Sequence, residues 1–273
     1  GTLSFGFIEG PGWGWHAPAV LGCFVVSIIG FAAFLAVEHR SPRPLLPLSI
    51  FRGQAFSAAV ADAALMTFGM YGLLFVLPLY FQAIRHVSAV MAGIALLPMS
   101  LTFFLVSPAA GRVATRIGPR ALISCGMALT GLGMLVLSSP FIRSGYGLIG
   151  VALFAVGLGL GLITGPIATA AMANAPAARS GLSSGLVNVG RMVGATLGVA
   201  ALGMLFGGRV EAAAQDVPRF MAGMHGAFLM GSVAEFAGAA IALLWFRRDS
   251  LETNHQATSR PQRAPNEGYT SRS

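Results

Sequence analysis

Two carboxylates and one guanidinium interrupt long apolar runs in this 273-residue sequence, and their chemistry needs an explanation. Glu235 stands about ten residues into the run from His225 to Phe246, at ~1.5 Å per helical residue roughly 15 Å along an apolar layer of ~30 Å. Its helical neighbours Gly231, Gly238 and Ala242 are small, so it must face another helix or a wet cavity. A charge at that depth costs ~2.5–3.5 kcal/mol on the insertion scale. A carboxyl that alternates between burial and water can take up and release a proton. The other reading is a neutral Glu hydrogen-bonded between helices. Asp62, about seven residues into the run from Ala55 to Phe81, is a second proton-exchanging candidate, and it could also complement a helix N-terminus. Arg191 lies about nine residues into the run from Leu182 to Phe206, ~13 Å deep and too far in for easy snorkelling. It predicts a cavity role or a structural ion pair. Asn188 shares its helical face, with Ser184 and Ala195 at spacings that keep all four aligned.

The runs that hold these side chains define the class. Hydrophobic residues make up 55% of the chain and charged residues 10%, with a mean hydropathy of +0.76. Soluble domains carry roughly a quarter charged residues, so this is an all-α membrane protein. The net charge of +8 does not imply nucleic acid, because the arginines sit in short loops between apolar runs and in the tail. Lysine is absent, which excludes a retinal Schiff base and so one kind of seven-span protein. Cys23 and Cys125 lie singly inside apolar runs and read as small hydrophobes. The five histidines are scattered without metal-ligand spacing, so no metal or cofactor is expected. An intramembrane enzyme would need a catalytic pair at one depth; Asp62 and Glu235 are far apart in sequence, and an enzyme is not expected. Gly157 to Pro166 is glycine-rich but lacks the Lys of a phosphate loop, and reads as helix packing with a proline hinge.

Seven spans are expected: 18–37, 55–81, 89–109, 120–139, 145–166, 182–206 and 225–246. Gly1 to Ile8 reads as the outer end of a helix that begins upstream, so the sequence is expected to be a fragment. Trp13 and Trp15 follow in a turn at headgroup level. Residues 38–54, with three prolines and three arginines, form a cytoplasmic linker, and residues 247–273 a disordered cytoplasmic tail. Nine arginines (40, 43, 52, 112, 116, 120, 179, 247 and 248) fall on one side and four (85, 143, 209 and 219) on the other. That bias places the C-terminus in the cytoplasm. On the sixth span Gly190, Gly194 and Gly198 form a stripe roughly 90° from Arg191, suited to close approach by another helix.

Between the third and fourth spans lies Gly111-Arg-Val-Ala-Thr-Arg-Ile-Gly-Pro-Arg120. It reads as a ten-residue polar loop, short enough to force its flanking helices to lie antiparallel and adjacent. The spacing of Gly111, Arg116, Gly118 and Arg120 resembles the loop signature of the major facilitator superfamily, with Thr115 where an acidic residue is usual. Glu9-Gly-Pro-Gly-Trp-Gly-Trp15, Leu77-Pro-Leu-Tyr-Phe-Gln82 and the series Gly165-Pro166, Ala175-Pro176, Gly181, Ser184-Gly185, Asn188, Arg191, Gly194 and Gly198 extend the resemblance to fourteen-span drug/proton antiporters of the EmrB/QacA type. It covers nearly all of residues 1–246.

The resemblance implies a C-terminal six-helix half, residues 55–246, preceded in 1–37 by the end of one extra helix and all of a second. It implies a secondary active transporter in the cell membrane, exporting small amphipathic compounds or drugs against protons, hence antibiotic resistance. Its partners would be the lipid bilayer, the small-molecule substrate, protons and the missing N-terminal half. The 111–120 segment, with Gly111, Arg112, Arg116, Gly118 and Arg120, would gate alternating access. Two other readings stay open: a major facilitator transporter for another small metabolite, and a seven-span receptor-like protein. The two three-helix sets, spans two to four and five to seven, are expected to form repeats with one face left unpartnered.

Overall fold

A computed structural model describes residues 5–6, 14, 16–40, 53–173, 180–205 and 216–245. The two tryptophans of the early turn, most of the 38–54 linker, Arg179, Arg209 and the 247–273 tail lie outside the described residues. The described residues contain helices and turns and no strand, as the composition requires.

Helix α1 is Pro18–Arg40. The second expected span is α2, Gln54–Leu79, continued by a π-helical turn at Tyr80–Ile84. Pro78 lacks the N–H that would bond one turn back, and the wider turn begins two residues later. The amide of Arg85 closes it on the Tyr80 carbonyl at 3.1 Å. The third span is broken at Leu96 into α3, Ala89–Ala95, and α4, Leu97–Ile117, with Pro98 in the first turn of α4. Ser88 caps α3 by accepting from the Met91 amide at 3.3 Å. Then come α5, Pro119–Leu137, a short 3-10 turn at Pro140–Ser144, and α6, Tyr146–Ala173. The last two are α7, Ser180–Leu205, and α8, Val217–Trp245, whose first turn is capped by Asp216 accepting from the Arg219 amide at 3.3 Å.

Five helices among the described residues are long and apolar enough to cross a bilayer: 54–84, α4, α5, 146–172 and α8. Helices α1, at 23 residues, and α7, at 26, also have spanning length, and α7 carries Asn188 and Arg191. Helix α8 begins eight residues before His225, so Glu235 lies past its midpoint rather than at it.

The 111–120 segment departs from its expectation. Helix α4 continues to Ile117 and α5 starts at Pro119, leaving Gly118 as the one non-helical residue between them, at φ 87°. Arg112 and Arg116 occupy the last turns of α4, and Arg120 the first turn of α5. Arginine side chains at a helix end can reach water without the backbone leaving the helix, so a polar run need not be a loop. Nor do α4 and α5 pack along their length; each packs on α6. Glycines decide this. A Cβ on Gly157 or Gly161 would press on the Met99 and Phe103 carbonyls of α4, and one on Gly126 or Gly133 on the Gly159 and Ala152 carbonyls of α6. Backbones approach most closely where no side chain intervenes.

Packing is concentrated in α2 with α7, α2 with α8, α4 with α6, α5 with α6, and α5 with α8, and α2 also touches α6. Exchanging the first three spans for the last three maps this pattern onto itself. Each set has an odd number of spans, so the two sets run in opposite directions through the layer, as inverted repeats do. The stripe Gly190, Gly194 and Gly198 lies against Val60, Ala64 and Phe68 of α2, in step at four-residue intervals. Pro166 sits within a continuous α6, whose Gly157, Gly161 and Gly165 line the contact with α4. Hydroxyls inside the bundle are satisfied locally, as with Thr102 to Pro98 O at 2.6 Å and Thr130 to Gly126 O at 3.0 Å. Helix α1 packs on none of these helices to a comparable degree, and its Val26, Ile28, Ile29 and Phe31 are exposed.

Candidate functional site: a cleft and a buried carboxylate pair

Helices α2 and α6 form the floor of an open cleft of about 810 Å³, and α4 and α7 its walls. Helix α2 contributes Met66, Thr67, Met70 and Tyr71, α4 contributes Phe103, and α6 Leu160 and Thr164. Helix α7 supplies Asn188, Arg191 and Thr196 with apolar neighbours. The geometry follows from the glycine stripe: with that stripe seated on α2, the adjacent face of α7 turns Asn188 and Arg191 to the opening. The Thr67 hydroxyl lies at the seam, 2.8 Å from the Arg191 carbonyl across it and 2.9 Å from the Ala63 carbonyl of its own helix. Arg191 is half-buried, and its Nε has no hydrogen-bond partner.

Asp62 and Glu235 do not line the cleft. They lie where α2 packs against α8, with Met134 of α5 reaching Gly69, and both are 0% exposed. A Cβ on Gly69 would come 2.9 Å from Glu235 Oε1, one on Gly131 3.3 Å from Glu235 Cβ, and one on Gly238 3.4 Å from Asp62 Oδ1. The two helices run antiparallel, so Asp62 is level with Gly238 and within roughly one turn, ~5 Å along the axis, of Glu235. None of the four carboxylate oxygens has a hydrogen-bond partner among the described residues. Of its two readings, another helix or a wet cavity, Glu235 takes the first: it faces α2 and α5, and Arg191, on the cleft lining, is not its partner. Asp62, in the third turn of α2, is also too deep to complement its N-terminus.

The gating candidates are at the opposite end of α4 from its entry. Gly111 is half-buried near Gly165, and a Cβ there would meet nothing within 4 Å. Arg112 and Arg116 are exposed, Gly118 is buried and Arg120 is half-buried. Sequence reasoning missed the methionines: Met134 lies beside Gly69 and Gly231, and Met127 beside Gly238, so thioethers enclose the carboxylate pair. It also missed Met66, Thr67, Met70, Thr164 and Thr196 as cleft residues. The spacing of Thr67 and Tyr71, one turn apart, was the available signal. Among the described residues no cluster could hold a metal ion, and Cys23 and Cys125 are free.

Together these features define a helical membrane protein with a solute-sized cleft between two halves of an inverted repeat. The chain belongs to the major facilitator superfamily, whose family model matches residues 6–199. It is 34% identical over 203 residues to the multidrug resistance protein Stp of Mycobacterium tuberculosis, covering 74% of this chain and 38% of that protein. Over 208 residues it is 34% identical to the tetracenomycin C resistance and export protein of Streptomyces glaucescens, covering 76% and 39%. With the methylenomycin A resistance protein of Streptomyces coelicolor it shares 32% over 205 residues, covering 75% and 43%. The chain thus spans less than half the length of these curated relatives.

Proposed function

We propose that this chain forms the C-terminal six-helix half, with adjoining helices, of a secondary transporter that exports small amphipathic compounds from the cell. The observation that carries the reading is the cleft: open, of drug-molecule size, mostly apolar, and walled by the inverted-repeat helices. The drug-resistance and export functions named for the relatives point the same way. The rest of the transporter would close the cleft from the other side. The arginine distribution puts the C-terminus in the cytoplasm of a cell-membrane protein. Protons would drive export. Glu235, with Asp62 beside it, is the group that would bind them, since an ionised carboxylate without a donor is costly where these two lie. Alternating access would bring the pair in contact with water in one state and bury it in the other.

Cells expressing the full-length protein should accumulate less of a fluorescent amphipathic dye than cells without it, and a protonophore should restore accumulation. Equal accumulation across a panel of such dyes, with the protein present in the membrane, would favour a transporter of another metabolite class.

A further inference from the structure

Among the described residues, Arg191 carries the one formal charge on the cleft lining. Its neighbours there, Asn188, Thr67, Thr164, Thr196 and Tyr71, offer amide and hydroxyl groups, and the remaining lining is thioether, aromatic and aliphatic. Among the described residues no carboxylate lines the cleft with the guanidinium. Asp62 and Glu235 project from the α2 and α8 surfaces that meet each other, whereas α7 sits on the α2 face formed by Val60, Ala64 and Phe68. Arg191 is half-buried on the cleft lining, and its buried Nε has no hydrogen-bond partner among the described residues, so the cation is partly desolvated where it stands. The Thr67 hydroxyl stands within hydrogen-bond reach of the Arg191 carbonyl at 2.8 Å and of its own Ala63 carbonyl at 2.9 Å, so it contacts the backbone from which that cation projects.

We infer that this cleft wall selects anionic, acceptor-rich amphiphiles, an aromatic or aliphatic body carrying a carboxylate, enolate or phenolate, over lipophilic cations. The inference rests on the transporter reading and narrows its substrate class. An anion would take the guanidinium as a charge-assisted hydrogen-bond donor, with the Asn188 amide beside it, while its apolar body lay against Met66, Met70 and Phe103. A cation would meet a like charge on this wall in a region of low dielectric, with no acidic group among the described lining residues to offset it. Lys in place of Arg would keep the charge and lose the planar fork.

The test uses purified full-length protein and two probes of matched carbon content, 1-naphthylacetate and 2-(1-naphthyl)ethylamine, with binding measured by equilibrium dialysis at neutral pH. The wild-type protein should bind the anion at least ~10-fold more tightly than the cation. Arg191→Gln should abolish the preference and Arg191→Lys retain part of it, both eluting as monodisperse protein. Equal or tighter binding of the cation by the wild type overturns the inference without recourse to any variant. So does a preference for the anion that survives Arg191→Gln, or failure of the wild type to bind either probe. Dye export measured in parallel separates the two levels: export with no anion preference removes the substrate class alone, while anion binding without export of any compound removes the transporter reading and keeps the site.

Discussion

Glycine positions carry the sharpest consequences at the level of single residues. A Cβ on Gly194 would collide with the Ala64 carbonyl and lie 2.5 Å from Thr67 Oγ1, both on a helix interior that does not give way. Gly72, on α2, would meet nothing within 4 Å. Gly194→Leu should therefore lower unfolding stability in detergent by about 1–3 kcal/mol, whereas Gly72→Leu should leave it within ~0.5 kcal/mol. Equal denaturation midpoints for the two variants would contradict the packing described. Much of this was legible in the sequence, because four-residue spacing fixes one face of a helix whatever that face meets. The partnership of Asp62 and Glu235 was not legible. It depends on the register of two helices separated by most of the chain, and no local pattern encodes that register.

Among the elements, the α4–α5 junction shows how polarity misleads. Arginines at 112, 116 and 120 read as a loop, yet all three belong to helix ends, and one glycine makes the turn. Gly118 has φ 87° and ψ 152°, a region that side chains rarely adopt. Gly118→Val should cost about 1–3 kcal/mol and show as reduced yield and a lowered melting temperature. Gly111 has open space around it, so Gly111→Trp should insert into the membrane normally. If the segment governs alternating access, that variant should nevertheless export several-fold less dye at equal expression. Unchanged export would remove Gly111 from gating. That α4 and α5 each pack on α6 instead of on one another was beyond the reach of loop length alone. It is set by which faces carry glycine.

For the whole molecule, the symmetric packing accounts for both the cleft and the sealed carboxylates. The same α2 presents one face to α7 and another to α8, so a movement of α2 would reach both sites. The all-α class and the helix positions could be read from composition and apolar length, since a bilayer admits few alternatives. The orientation rests on arginine asymmetry, and it makes a direct prediction. A single Cys introduced at Ser273, in a Cys23→Ala, Cys125→Ala background, should resist an impermeant maleimide in intact cells and react after permeabilisation. Labelling in intact cells would invert the topology.

The central claim is that substrate export is exchanged for protons bound at the buried carboxylates. It is tested most directly by reconstituting the full-length protein in vesicles and following proton movement on addition of a transported substrate. The wild type should show substrate-driven proton movement, and Glu235→Gln, which preserves side-chain volume, should lose it while binding substrate with unchanged affinity. Undiminished proton movement in Glu235→Gln at intact affinity would take this carboxyl out of the mechanism. Absence of substrate-driven proton movement in the wild type would contradict proton-coupled export altogether.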